Sequence, residues 1–257
     1  MNTSSRYDIG IAFLKQVGGE NYDAPINSLK TIAPDLARFT VEFGYGDVMS
    51  RPGLDLKTRQ FCTVAALAAM ANAQPQLKYH INGALNVGWE PAAVMEALYL
   101  CAGYAGFPAA LNAVFAAKEV FQARGLAWVP EPDGRDEDRY ERGLAALEQV
   151  SAGAGAAVIR SLQDIAPDLA RFIIEFAYGD IISRPGIDNR TRELATVALL
   201  TALGNAQPQL KVHVSAALNV GAAREEIIEA IQQMAVYAGF PAALNGIGAA
   251  REILPAS

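Results

Sequence analysis

Asp35-Leu-Ala-Arg-Phe39 returns as Asp168-Leu-Ala-Arg-Phe172, an offset of 133 residues that holds far beyond these five positions. Working outward, the same offset carries Arg51-Pro52-Gly53 to Arg184-Pro185-Gly186 and His80 to His213. It carries Tyr104-Ala-Gly-Phe-Pro108 to Tyr237-Ala-Gly-Phe-Pro241, and Arg6-Tyr7 and Gly10 to Arg139-Tyr140 and Gly143. No gap is needed between residues 6 and 124. A period this long exceeds any solenoid unit, so the chain reads as one domain duplicated. The first copy spans 1–124 and the second 139–257. Between them, 125–138 contains Trp128-Val-Pro-Glu-Pro-Asp-Gly-Arg135, whose proline, glycine and charge content reads as a linker.

Helix punctuation recurs in each copy. Pro34-Asp35 and Pro167-Asp168 put a proline and an acid where helix starts favour them. Asp55 and Asp188 are suited to N-cap a following alanine-rich helix that runs to about Ala73 in the first copy. That helix is nearly apolar all round, which predicts burial on several sides. Further helices are expected from Pro75 to a glycine stop at Gly88, from Pro91 to Tyr104, and from Pro108 to about Arg124. Strand alternation is missing. The fold class is all-α: two homologous helical bundles in tandem, related by a pseudo-twofold axis.

Bulk properties narrow the function classes. Apolar residues make up 52% and charged residues 19%, so a sizeable core is expected. A net charge of −6 and a pI near 5.0 argue against nucleic acid. No apolar run approaches the ~18–20 residues of a membrane span, and the polar Met1–Arg6 start lacks a signal-peptide pattern. Two cysteines, Cys62 and Cys101, are too few and too far apart for a disulfide framework or a zinc site, and read as inert core thiols. The setting expected is soluble and cytoplasmic.

The candidate chemistry lies in polar residues kept in both copies. His80 and His213 are the two histidines of the chain. Each admits two readings, a satisfied core histidine or a general acid, and one histidine per copy leaves no metal set. Glu42 and Glu175 precede Tyr45-Gly46-Asp47 and Tyr178-Gly179-Asp180. Arg51, Arg184, Arg59 and Arg192 are candidate carboxylate clamps, with salt bridges or helix-end contacts as the alternative. Tyr104 and Tyr237 read as core aromatics at a turn. Outside these motifs the copies differ at Tyr79 against Val212, Cys62 against Ala195, Trp89 against Ala222, and Tyr99 against Gln232.

The ordered string Tyr-Gly-Asp, Arg-Pro-Gly, Thr-Arg, Leu-Lys-x-His with Ala-Leu-Asn-x-Gly, then Tyr-x-Gly-x-Pro-Ala-Ala resembles the carboxymuconolactone decarboxylase family, an AhpD-like helical fold. The likeness covers residues 6–124 and 139 to about 254. The family's peroxidase relatives carry Cys-x-x-Cys ahead of the histidine; here those places hold Ala73 and Gln76, and Ala206 and Gln209, so disulfide relay chemistry is excluded. The resemblance implies a cofactor-free decarboxylase of 4-carboxymuconolactone or a related unsaturated lactone acid in aromatic-compound degradation. It implies catalysis by His80 and His213 with Glu42 and Glu175. Arg51, Arg59, Arg184, Arg192, Tyr45 and Tyr178 would bind a small-molecule carboxylate or lactone, with no metal or cofactor. Relatives form hexamers of single copies, so a fused chain implies a homotrimer, a pseudo-hexamer. The alternatives are a non-catalytic ligand-binding or assembly protein on the same scaffold, and a different lactone-processing enzyme.

Overall fold

Proline, small residues and caps set the helix boundaries, and they do so twice. A computed structural model describes residues 5–127, 129, 135 and 138–255, so most of the expected 125–138 linker lies outside the described residues. The first copy comprises α1 (Arg6–Gly18), a 3-10 turn (Gly19–Asn21), α2 (Ala24–Leu29) and α3 (Pro34–Phe39). A π-helical segment (Thr40–Met49) follows, then α4 (Leu56–Met70), α5 (Gln74–Asn86), α6 (Pro91–Tyr104) and α7 (Phe107–Ala123). The second copy comprises α8 (Arg139–Ser151), α9 (Ala154–Arg160), α10 (Pro167–Phe172), a π-helical segment (Ile173–Ile182) and α11 (Asn189–Leu203). It ends with α12 (Gln207–Asn219), α13 (Arg224–Gln232), α14 (Met234–Tyr237) and α15 (Phe240–Arg251). No strand occurs among the described residues.

The central helices start as the sequence predicts. The Asp55 carboxylate accepts from Thr58 N at 2.9 Å, and Asp188 accepts from Thr191 N at 2.8 Å, each satisfying an otherwise orphaned donor. Both α4 and α11 are buried over almost their whole length and pack against one another along the pseudo-twofold axis. Their alanines let the backbones approach closely, which explains an apolar surface on every side. The main core cluster therefore spans both copies, and a smaller one lies under α1 and the first π segment. Their junction is interlocked: α6 packs on the second π segment and on α11, while α14 packs on α4.

The π segments continue α3 and α10 without a break, and π geometry was not expected from the sequence. Each is backed by the first helix of its copy. A Cβ at Gly10 would collide with the Val41 carbonyl, and one at Gly143 with the Ile174 carbonyl, so these positions need a bare backbone for close approach. That packing fixes the π segments, and with them Tyr45 and Tyr178, against the core.

Candidate active site

Each histidine stands on the helix that follows the buried central helix of its copy, and each meets a tyrosine from the other copy. His80, on α5, packs edge-on against Tyr237 with ring centroids 5.1 Å apart; His213, on α12, packs the same way against Tyr104 at 5.1 Å. Both imidazoles are buried. Tyr104 and Tyr237 pack against the core as expected, and as the last residues of α6 and α14 each also presents its ring across the pseudo-twofold to the other copy's histidine.

The two centres differ at one buried position. His213 Nδ1 lies 2.7 Å from Glu193 Oε2, and its Nε2 lies 3.1 Å from the Tyr104 hydroxyl. The result is a continuous carboxylate–imidazole–phenol chain, with Glu193 fully buried. At the equivalent of Glu193 the first copy has Gln60, whose Oε1 is 2.9 Å from His80 Nδ1. An amide oxygen only accepts, so His80 Nδ1 donates and Nε2 is the bare acceptor. With no carboxylate to offset burial, the His80 imidazole is held neutral, its pKa pulled down to about 3. Burial, then Glu193 and Tyr178, push the Tyr104 phenol well above its ordinary value, so it remains a protonated donor. The contrast between positions 60 and 193 was legible as an acid set in a nearly apolar helix, but the sequence reading passed over it.

A cavity of about 710 Å³ opens beside His80. Tyr45 from the π segment, Tyr79 and His80 from α5, and Tyr237 from the second copy form its inner wall; Leu36 and Phe39 stand at an exposed rim. Among the described residues, no Lys, Arg, Asp or Glu lines it.

Several expected site residues are elsewhere. Glu42 is paired with Arg38 at 2.9 Å and Glu175 with Arg171 at 2.8 Å, one turn back along the same helix, so neither joins the histidine of its copy. The clamp expectation for the arginines is revised as well. Arg59 is fully buried and donates to Glu229 at 2.7 Å, with Arg51 on the same carboxylate at 2.8 Å. In the mirror arrangement Arg192, fully buried, meets Glu96 at 3.4 Å, and Arg184 meets it at 2.9 Å. All four arginines thus bridge one copy to a glutamate of the other. Of the expected binding residues, Tyr45 does line the cavity. Tyr178 lies near Glu193 and Tyr104, its phenol pushed up chiefly by burial and then by Glu193.

Among the described residues no group of three or more His, Cys, Asp or Glu side chains is placed to hold a metal. No helix among them is long and apolar enough to cross a membrane. Cys62 and Cys101 are buried, free of any disulfide, and pushed up to about 12 by burial. At neutral pH almost no thiolate forms. A disulfide reagent is expected to leave both unmodified in the folded protein and to titrate two thiols per chain once it is denatured. Rapid labelling in the native state would contradict this burial.

Comparison with known proteins agrees with the internal repeat. The carboxymuconolactone decarboxylase family model matches twice, at residues 34–119 and 167–252, and the two matches are again 133 residues apart. Among curated proteins, the chain is 36% identical over 119 residues to 4-carboxymuconolactone decarboxylase of Acinetobacter baylyi, covering 46% of this chain and 88% of that protein. It is 33% identical over 96 residues to an uncharacterised 15.0 kDa protein of Paracoccus denitrificans, covering 37% of this chain and 72% of that one. It is 36% identical over 75 residues to nitrosuccinic acid decarboxylase of Metarhizium robertsii, covering 29% of this chain and 52% of that one. With both halves matched, the repeat, the helical fold and the relatives agree: the chain belongs to the carboxymuconolactone decarboxylase family.

Proposed function

We propose that this protein is a cofactor-free carboxy-lyase acting on 4-carboxymuconolactone or a related unsaturated lactone acid, and that the Glu193–His213–Tyr104 chain is its proton-transfer unit. The observation that carries the reading is that chain of contacts, 2.7 Å from carboxylate to imidazole and 3.1 Å from imidazole to phenol. Two relatives that bear decarboxylase names support the reaction class.

The chemistry suits these groups. In a γ-carboxy unsaturated lactone the bond to the departing carboxylate breaks, and its electron pair runs through the ring C=C into the lactone carbonyl. The resulting dienolate takes one proton at the carbon beside that carbonyl, and CO₂ leaves. Such a substrate is its own electron sink. What the protein must add is a dry pocket and one proton donor. His213 balanced by Glu193 can carry a proton without leaving a net charge in the core, and Tyr104 can deliver it. The four arginines expected as clamps are engaged by Glu96 and Glu229. The test is ultraviolet decay of 4-carboxymuconolactone with CO₂ release. Its absence with folded protein would move the assignment to another lactone-processing enzyme.

A second reading, a binding protein without chemistry, is favoured in the first copy by Gln60 in place of a carboxylate.

We also propose that the chain self-associates as a homotrimer. Exposed Leu36, Phe39, Phe107 and Leu111 recur as exposed Leu169, Phe172, Phe240 and Leu244, giving two similar apolar faces of the kind that mark interfaces. Sedimentation is expected to give three times 27.3 kDa. A mass of one or two chains would refute the trimer. The free, buried cysteines accord with a cytoplasmic setting.

A further inference from the structure

We propose that the two halves have parted roles, and that the cavity around His80 is a separate binding site for an uncharged unsaturated ring compound bearing a carbonyl or ring oxygen. The inference does not require the decarboxylase reading.

Its first support is charge. The cavity has the volume of a small-molecule site, about 710 Å³, yet its lining among the described residues contains no formal charge at neutral pH. The basic side chain there, His80, faces the Gln60 amide rather than a carboxylate, so nothing at Nδ1 favours a second proton on the ring. An anion entering would be desolvated without compensation.

The second support is the direction in which the copies differ. At the two lining positions 79 and 40 the first copy has Tyr79 and Thr40, where the second has Val212 and Ile173. At 60 and 193 the difference runs the other way, amide against carboxylate. One half has an aromatic wall residue and no acid; the other has the acid and an aliphatic side chain in that place. Tyr45 and Tyr237 are kept protonated, first by burial, and so bring neutral phenols to the wall, while Tyr79 lends it a ring whose hydroxyl is buried beside Gly18. His80 Nε2 supplies an acceptor. The aromatic walls and the apolar rim of Leu36 and Phe39 suit a flat ring.

The test uses full-length protein, coumarin as an uncharged lactone, and coumarin-3-carboxylate as its anionic match. Because the chain has two histidines, ¹³C-histidine labelling gives one imidazole signal per half, assigned with His80→Gln. Coumarin is expected to move the His80 signal, leave that of His213 unmoved, and bind at least about tenfold more tightly than the carboxylate. Tyr79→Val, which installs the residue the other half already accommodates and removes an aromatic wall, is expected to weaken coumarin about 3- to 10-fold. An unmoved His80 signal at millimolar coumarin, equal affinity for the carboxylate, or unchanged affinity in Tyr79→Val would each overturn the assignment. Protein that turns over 4-carboxymuconolactone but fails these titrations loses this inference alone. Protein that passes them without turnover loses the decarboxylase reading alone.

Discussion

Glu193→Gln is expected to lower turnover of 4-carboxymuconolactone by about 10²- to 10⁴-fold while leaving the protein folded. The replacement removes one negative charge and changes almost no volume. Gln60 already occupies the same place beside His80, at 2.9 Å from Nδ1, so the helix tolerates an amide there. What changes is the charge that faces His213 Nδ1. A carboxylate 2.7 Å away stabilises the imidazolium, while an amide oxygen orients the ring and gives it no charge to balance. In the Glu193→Gln protein His213 would face an amide oxygen, as His80 does. The Tyr104 phenol would still carry its proton, but giving it to the dienolate would leave a buried phenolate with no carboxylate-balanced imidazole behind it to replace the proton. Because the effect belongs to the chemical step, kcat is expected to fall and KM to change little. A loss under about threefold, with CO₂ release still at the parent rate, would remove Glu193 from the mechanism and leave the carboxylate as a structural partner of His213.

Much of the fold could be read from the chain because its signals are local. A capping aspartate acts on the amide three residues on, and Asp55 and Asp188 do so in the structure. The glycine stop at Gly88 adopts the left-handed φ of 91° that it was expected to supply. Site residues were harder, since their partners sit far off in sequence. Arg59 and Arg192 are early in apolar helices, which marks them as unusual, but nothing local tells a substrate carboxylate from a protein one. Glu229 lies 170 residues from Arg59, and only the pseudo-twofold brings them together. The same holds for Tyr104, which meets a histidine 109 residues away. Glu42 failed for the opposite reason: a local partner, Arg38 one turn back, claims it. The offset of 133 did hold the missing information. Folding two like copies face to face puts some partners in the other copy, and each such pair recurs as its mirror, Arg59–Glu229 with Arg192–Glu96 and His80–Tyr237 with His213–Tyr104.

Glu229→Ala is expected to destabilise the protein by about 3–5 kcal/mol, the cost of leaving a buried charge without its partner. Arg59 is wholly buried, and its Nη2 donates to Glu229 at 2.7 Å, while its remaining contacts are the Leu54 and Arg51 carbonyls and a longer one to Gln233. Those neutral acceptors solvate the guanidinium but do not neutralise it. Arg51, on the same carboxylate, is nearly half exposed and can turn to water, so its share is expected to be small. The asymmetry can be separated by a cycle. If the loss comes from an unpaired charge, Arg59→Met together with Glu229→Leu is expected to recover much of it, since a buried pair is often replaceable by apolar groups of similar volume. If the loss came instead from a cavity at α13, the double variant would be worse than either single one. Denaturant unfolding reads both, through a fall in midpoint at constant m. A single-variant loss under about 1 kcal/mol would mean that water reaches Arg59 and that the two copies are joined by their apolar core rather than by this pair.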